Sequence, residues 1–342
     1  MKTKRIAILA YHGCMGMEVF GLCDTLLLAN RVSAALDAAA PPPFEVIVTS
    51  LGGGMVGAAG GILVGTRTPV ASPDLLVVPG MALADRHGCL APIAALAPEI
   101  AYLATAFARG TPVAAVCVGA FLLGDAGLLD GRRATTAWLF APDLARRFPA
   151  AMVDPAAMLV EDGGVCTTGA FSATFDLAMH LVRQNASAKV QRAVARMGLL
   201  DGARTSQAPF VDTRMLARPD GTFAASVRAW LDQRLAAPYD LKRMAAAFHV
   251  SDRTLLRRVK DETGQTPLAY LQQARVGKAK LLLESTSLSV AQVTERVGYA
   301  DAATFGALFK RNIGQSPAEY RRRFRADGRG QTADVARPDA LC

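Results

Sequence analysis

Cys117 is the side chain best placed in this sequence to do covalent chemistry. It stands in Ala114-Ala115-Val116-Cys117-Val118-Gly119-Ala120, where an apolar run meets small residues that open a helix. That order describes a nucleophile elbow, a strained strand-to-helix turn that displays one side chain at the carboxyl edge of a sheet. A thiol at a helix N-terminus also feels the positive end of the dipole, which lowers its pKa. The plain alternative is a small buried residue. Catalysis would further need a base to take the thiol proton and return one to the leaving group. Four histidines are available. His12 ends the first apolar run, and His87 lies in the loop after Gly80, so both can approach such an edge. His180 sits among Leu177, Ala178 and Leu181 and reads as packing, and His249 lies in the basic C-terminal part.

Other chemistries find less support. The six cysteines show no C-x-x-C spacing and no paired framework, so they read as reduced thiols of a cytoplasmic protein. No metal site and no cofactor is expected. Gly52, Gly54 and Gly57 spell G-x-G-x-x-G after a strand, but that fingerprint must open a helix. Ala58-Ala59-Gly60-Gly61 and Pro69 follow instead.

Phosphate binding is the second chemistry in view. Gly264-Gln265-Thr266-Pro267-Leu268-Ala269-Tyr270 returns fifty residues later as Gly314-Gln315-Ser316-Pro317-Ala318-Glu319-Tyr320. Two copies of one supersecondary unit explain such a period. In the first, Leu241, Met244, Ala245 and Phe248 share a helix face. His249-Val250 breaks that helix, Ser251 caps the next, and Gly264 closes it. In the second, Ser289 and Gln292 form a capping-box pattern. Gly298-Tyr299 makes the turn, Asp301 caps a helix with Phe305, Leu308 and Phe309 inward, and Gly314 ends it. Helix, tight turn, helix is the shape that sets a second helix in a DNA major groove. The charge agrees. Residues 221–342 hold 20 Lys+Arg against 12 Asp+Glu, and residues 1–220 hold 18 against 17. Nearly all the excess of +9 therefore travels with the repeat, as double-stranded DNA would require.

Gly298-Tyr299, Phe305, Phe309, Gly314, Pro317, Tyr320-Arg321 and Phe324, with Arg253-Thr254-Leu255 and Arg257-Arg258, resemble the signature of the AraC/XylS-type DNA-binding domain. The resemblance covers about 100 residues. It implies two helix-turn-helix units on one linker helix, roughly Pro267 to Glu284, that enter successive major grooves. Arg253, Leu256 and Arg257 share the exposed face of the first recognition helix, and Arg253 or Arg257 can contact guanine through two hydrogen bonds. Ser251, Arg258 and Lys260 are expected on phosphates. The base-reading positions of the second helix hold Ala302, Ala303, Thr304 and Ala307, with Gly306 between. These offer methyl contacts and little hydrogen bonding. The first unit is therefore expected to carry most of the specificity, and the second to anchor through Lys310 and Arg311.

Upstream, strands and helices alternate. Strands are expected at 5–11, 44–51, 73–80 and 112–116, and helices at 18–38, 93–109, 118–126, 173–184 and 188–200. Alternation of this kind argues for a parallel sheet covered on both faces. The fold class is α/β, a flavodoxin-like parallel-sheet sandwich, followed by an all-α domain of two helix-turn-helix units. The expected domains are residues 1–201, a linker at 202–224, the DNA-binding domain at 225–326 and a disordered tail at 327–342. The longest uncharged run, Val46 to Thr66, contains seven glycines, so no membrane span is expected. The apolar run after the basic start ends at His12-Gly13, too short for a signal peptide.

Asp74 to Gly80, Cys117 to Gly124, Gly127 to Thr136, Trp138 and Asp176-Leu177-Ala178 resemble the PfpI-type, class I glutamine amidotransferase-like fold. More closely, they are similar to the version fused ahead of an AraC-type domain in GlxA-like regulators. The resemblance spans about Arg5 to Leu200 and implies a homodimer whose pocket lies over the cysteine. It implies a sensor of a small metabolite, frequently a nitrogen-containing one, that acts on DNA affinity or on RNA polymerase. Members often read Thr-His-Trp where this chain reads Thr136-Ala137-Trp138, so the obvious base is missing and Cys117 is a vestigial nucleophile. Asp24 and Glu18 are candidates for the acid beside the cysteine, and Asp24 fits better. Gly80, Met81, Cys117, Val118, Gly119, Ala170 and Phe171 would line the cavity at the strand ends. Trp138 would lie nearby, able to stack on a cationic ligand group. Two readings stand against a non-enzymatic, activating regulator: a cysteine-dependent hydrolase fused to a DNA-binding domain, and a dimerisation module that senses nothing.

Overall fold

The computed structural model describes residues 2–82, 91–200, 204–212, 215 and 221–325. They fall into two units, one ending at Gln207 and one beginning at Ala208. His87, residues 202–203, 213–214 and 216–220 of the 202–224 stretch, and the 327–342 tail lie outside the described residues.

The first unit runs β1 (Lys4–Leu9), α1 (Gly16–Leu36), β2 (Phe44–Thr49), β3 (Gly54–Gly57), β4 (Leu63–Thr66), β5 (Leu75–Val78), α2 (Ala91–Ala94), α3 (Ala97–Ala108), β6 (Val113–Ala115), α4 (Ala120–Asp125), β7 (Arg133–Ala134), α5 (Ala141–Arg147), β8 (Met152–Val153), β9 (Leu159–Asp162), β10 (Val165–Thr168), α6 (Ala173–Asn185) and α7 (Ala188–Met197). Six strands form one sheet in the order β2-β1-β5-β6-β10-β9. Neighbours are parallel except β9, which runs antiparallel to β10. The inner strands read Ile-Ala-Ile-Leu, Leu-Leu-Val-Val and Val-Ala-Ala because helices cover both faces and leave no solvent side for polar residues. α1 is long and apolar enough to span a bilayer by composition. It instead buries Val19, Leu22, Leu26 and Ala29 in the core of this unit and lies against β2, α6 and α7.

Several elements differ from expectation. Gly54 and Gly57 bound β3, which pairs with β4 as an antiparallel hairpin. The antiparallel edge strand β9 and the short parallel pair β7 and β8 were not legible, since each has four residues or fewer. The helix expected from Val118 begins as a 3-10 turn over Cys117–Gly119 and becomes α-helical at Ala120.

The second unit holds α8 (Phe223–Asp232), α9 (Leu241–Ala247), α10 (Asp252–Thr263), α11 (Pro267–Ser285), α12 (Val290–Arg296), α13 (Ala302–Ile313) and α14 (Pro317–Phe324). Two small cores divide it. Val227, Leu231, Met244, Leu255, Val259 and Leu271 make the first, and Val276, Leu283, Val293, Phe305, Phe309 and Tyr320 the second. α11 serves both: Leu271 faces one core while Val276, Ala279 and Leu283 face the other. Its buried Arg275 donates to Leu235 O (2.7 Å) and Ala237 O (2.6 Å) and lies over the Tyr299 ring at 5.0 Å. One guanidinium thus ties the loop after α8 to the turn after α12.

The expected linker at 202–224 is, over its described residues, packed rather than free. Arg204 pairs with Asp176 and donates to Ser172 Oγ and O. In the second unit, Lys280 Nζ donates to the carbonyls of Ala208 and Val211. Phe210 meets Phe324 edge-on at 5.5 Å. α8 also begins two residues before the expected domain start. The stretch lacks periodicity because main-chain carbonyls and single side chains hold it, not a repeating face.

Candidate functional site

Sheet order reverses between β1 and β5, and their carboxyl ends open the crevice where such folds hold ligands. Cys117 follows β6 at that edge. Its φ is +55°, so the turn is strained as an elbow requires. Its N–H donates to Gly169 O (3.1 Å) and its carbonyl accepts from Thr136 Oγ1 (2.7 Å). The N–H groups of Val118 and Phe171 face its sulfur. Gly80 completes the contact: a Cβ there would lie 3.2 Å from Cys117 Cβ and 3.1 Å from Glu18 Oε2. Gly119 must also be glycine, because a Cβ would sit 2.8 Å from the carbonyl oxygens of Val78 and Pro79.

The acid beside the thiol is Glu18, not Asp24. Asp24 is exposed on α1, whereas Glu18 is buried and accepts the Gly80 N–H at 2.5 Å. α1 starts at Gly16, which puts Glu18 in its first turn at the sheet edge; Asp24 lies nearly two turns further along and points outward. Among the described residues, Glu18 Oε1 has no hydrogen-bond partner. Burial raises the carboxyl to about 7, against the lowering effects of the Gly80 N–H and the Cys117 thiol. Burial, then the charge of Glu18, pushes Cys117 up to about 12. The lowered pKa expected from the helix dipole is therefore overturned. The first turn is a short 3-10 segment, and desolvation beside a carboxyl outweighs it.

Of the predicted pocket residues, the structure brings Gly80, Cys117, Val118 and Gly119 into contact, with Phe171 beside them, φ +30° and 45% exposed. Met81 is buried and bridges Cys14. Ala170 and Trp138 meet through a residue the sequence reading missed. The N–H groups of both donate to Gln207 Oε1, at 3.0 and 3.2 Å. No periodicity or motif marked Gln207, since its role depends on a backbone slot assembled from distant segments. Ala137 is buried. His12 is exposed, with its ring against Gly57. His180 does more than pack: its Nε2 lies 2.9 Å from Gln184 Nε2 and 3.1 Å from Glu161 Oε1.

In the second unit, α10 and α13 are twelve-residue helices fifty positions apart. Ser251 accepts the Thr254 N–H, and Asp301 accepts those of Ala303 and Thr304. Gly264 and Gly314 end them at φ +70° and +79°. Arg253, Arg257 and Lys260 are exposed on α10, and Leu256 is half-buried. Arg257 pairs loosely with Asp261 at 3.7 Å. Arg258 is exposed too and lies 3.9 Å over the Phe223 ring, a cation–π contact that orients its guanidinium. Ala303, Thr304, Ala307, Lys310 and Arg311 are exposed on α13. The Thr304 hydroxyl donates to Asp301 at 2.6 Å.

An elbow cysteine beside a buried carboxyl on a parallel sheet, joined to paired helix-turn-helix units, defines a two-part class of protein. The DJ-1/PfpI family model matches residues 4–184, and the chain belongs to that family. A helix-turn-helix domain model of the AraC type matches residues 244–323. The HTH-type transcriptional regulator GlxA of Rhizobium meliloti is 31% identical over 218 residues, 63% of this chain and 66% of that protein. GbdR of Pseudomonas aeruginosa, another HTH-type transcriptional regulator, is 23% identical over 224 residues, 65% of this chain and 61% of its own length. The chain thus spans no more than about two thirds of these curated relatives. A crystal structure of an AraC family transcriptional regulator from Pseudomonas putida aligns at 22% identity and TM-score 0.45, covering 57% of this chain and 98% of that one.

Proposed function

We propose that the protein is a sequence-specific DNA-binding transcription regulator whose first unit senses a small molecule and whose active form is a homodimer. The observation that carries this reading is the second unit. Two capped helices, fifty residues apart, present exposed faces with Arg253, Arg257, Lys260, Lys310 and Arg311 in a unit holding most of the net positive charge. The names of the relatives agree with it. The effector occupies the crevice around Gly80, Cys117 and Val118, and its binding shifts the population of two states that differ in affinity for DNA or RNA polymerase.

The site supports sensing over hydrolysis. A thiol pushed up to about 12 is almost wholly protonated near neutrality. Ala137 stands where members of the resembled family often carry a histidine that could serve as base.

Two measurements test the proposal. Selection from a random DNA library should yield a consensus site, and Arg257→Ala should weaken binding to it by about 1–3 kcal/mol with relaxed preference at one base. A thermal-shift screen of amino acids, betaines and polyamines should find a compound that raises the Tm of wild type but not of Cys117→Trp. Failure to enrich any sequence would remove the regulator reading. Ligand shifts that persist in Cys117→Trp would move the pocket elsewhere.

A further inference from the structure

Gln207 is 2% exposed and its amide is fully used. Oε1 accepts the N–H groups of Trp138 (3.2 Å) and Ala170 (3.0 Å). Nε2 donates to Thr136 O (2.9 Å) and Ala157 O (3.0 Å), with Thr135 Oγ1 at 3.5 Å. The slot fixes the orientation of the amide, since two donors meet its oxygen and carbonyls meet its nitrogen. Its shape is specific as well: a Cβ at Gly169 would lie 2.4 Å from the Gln207 carboxamide carbon. A carboxylate here would set an oxygen against two carbonyls, and an ammonium would set a cation against two N–H groups. An apolar group would leave the N–H groups of Trp138 and Ala170 without this acceptor and would take a donor from the carbonyls of Thr136 and Ala157. The slot thus matches one functional group, a neutral primary carboxamide.

Its walls belong to the candidate site. Thr136, whose carbonyl accepts from Gln207, donates its hydroxyl to Cys117 O (2.7 Å), and Gly169 O accepts the Cys117 N–H (3.1 Å). Arg204, Ser206 and Gln207 are held to the first unit by Asp176, Ser172 and Ala156, and the next residue opens the second unit. We propose that the slot framed by Thr136, Trp138, Ala157 and Ala170 is a primary-carboxamide site occupied in cis by Gln207, so that a small amide effector competes with the chain's own side chain and frees the segment that leads into the second unit. This rests on the reading of the first unit as a small-molecule sensor and names the class of what it senses.

The test uses the full chain and acetamide, the fragment that Gln207→Ala removes, with acetate as its charged isostere. Gln207→Ala should lose several degrees of Tm, and millimolar acetamide, but not acetate, should restore them. In wild type, acetamide should raise hydrogen exchange of the Gln207 N–H, which bonds Ala156 O, and acetate should not. Equal effects of the two compounds, or no rescue by either, would overturn the proposal. Rescue of the variant with no change in wild type would overturn it too, leaving a structural latch. Should Gln207→Ala not fold, Gln207→Met keeps the volume and loses the bonds; a Tm equal to wild type would show that the amide is not recognised. If amides do nothing while another compound class shifts wild type and not Cys117→Trp, only the amide site falls. If no compound of any class shifts wild type, the sensor reading falls with it.

Discussion

Glu18 is the residue whose chemistry is most changed by folding. Burial lifts its carboxyl from 4.5 to about 7, so between those values the native state keeps a proton that the unfolded chain has released. Stability is then fully present below about 4.5 and is lost progressively as pH rises through about 7. Glu18→Gln removes the titration and keeps an acceptor for the Gly80 N–H. The variant should show a flatter stability–pH profile over this window, with a difference on the order of 2–3 kcal/mol between its ends. Denaturant unfolding at a series of pH values measures it, and parallel profiles for variant and wild type would refute the assignment. The thiol follows the same logic. Alkylation of Cys117 should be slow at neutral pH and accelerate only toward about 12. Sequence alone located the cysteine, because an apolar strand running into small helical residues is a local pattern. It favoured Asp24 over Glu18, because Leu26 to Asn30 follow Asp24 as in the fused regulators, and that preference says nothing of which side of the helix meets the sheet. Only the start of α1 at Gly16 decides which one faces the sheet edge.

Elements were legible wherever one face repeats. The recognition helices and their glycine stops are where the period and caps put them. α11 is a different case, because it feeds two cores and carries apolar residues on more than one side. The Pro at its start and the β-extended Thr286 after its end bound it more clearly than any stripe. Short elements such as β7, β8 and β9 are set by partners distant in sequence, and nothing local reports them. The turn between α12 and α13 gives a sharp element-scale test. Gly298 has φ +83°, and a Cβ there would lie 2.7 Å from Ala236 O. Gly298→Ala should destabilise the second unit by about 1–3 kcal/mol, at the upper end because backbone blocks the added atom. Gly306 is its control: it lies inside α13, and nothing stands within 4 Å of an added Cβ. Gly306→Ala should therefore be neutral or stabilising by up to about 1 kcal/mol. The denaturant midpoint must fall for Gly298→Ala and must not fall for Gly306→Ala, or these glycine roles are wrong.

At the scale of the molecule, charge and hydrogen-bonding capacity are divided between two jobs. The first 220 residues are nearly neutral, and the remainder carries almost the whole excess of +9. Affinity for DNA should therefore be dominated by the second unit and fall with salt, by a slope of roughly −0.9 for each phosphate neutralised. The two recognition helices should enter that slope differently. On α13 the positions that face out are Ala303, Thr304 and Ala307, and the Thr304 hydroxyl is already bonded to Asp301. Few hydrogen bonds remain there for base edges, so Lys310 and Arg311 should anchor without reading. On α10, Arg253 and Arg257 are exposed and positioned to do both, and the ion pair of Arg257 with Asp261 is loose at 3.7 Å. Replacing Lys310 and Arg311 together by Ala should weaken binding to every sequence alike and reduce the salt slope by about 2. Arg257→Ala should reduce it by about 1 at most while changing base preference. Anisotropy titrations of the full chain from low to moderate salt, on the selected site and on single-base variants of it, separate the two effects. A loss of base preference in the α13 double variant larger than in Arg257→Ala would reverse the division of labour. The Ala-rich face would then be a methyl-reading surface, and not simply the consequence of alanine's helix propensity.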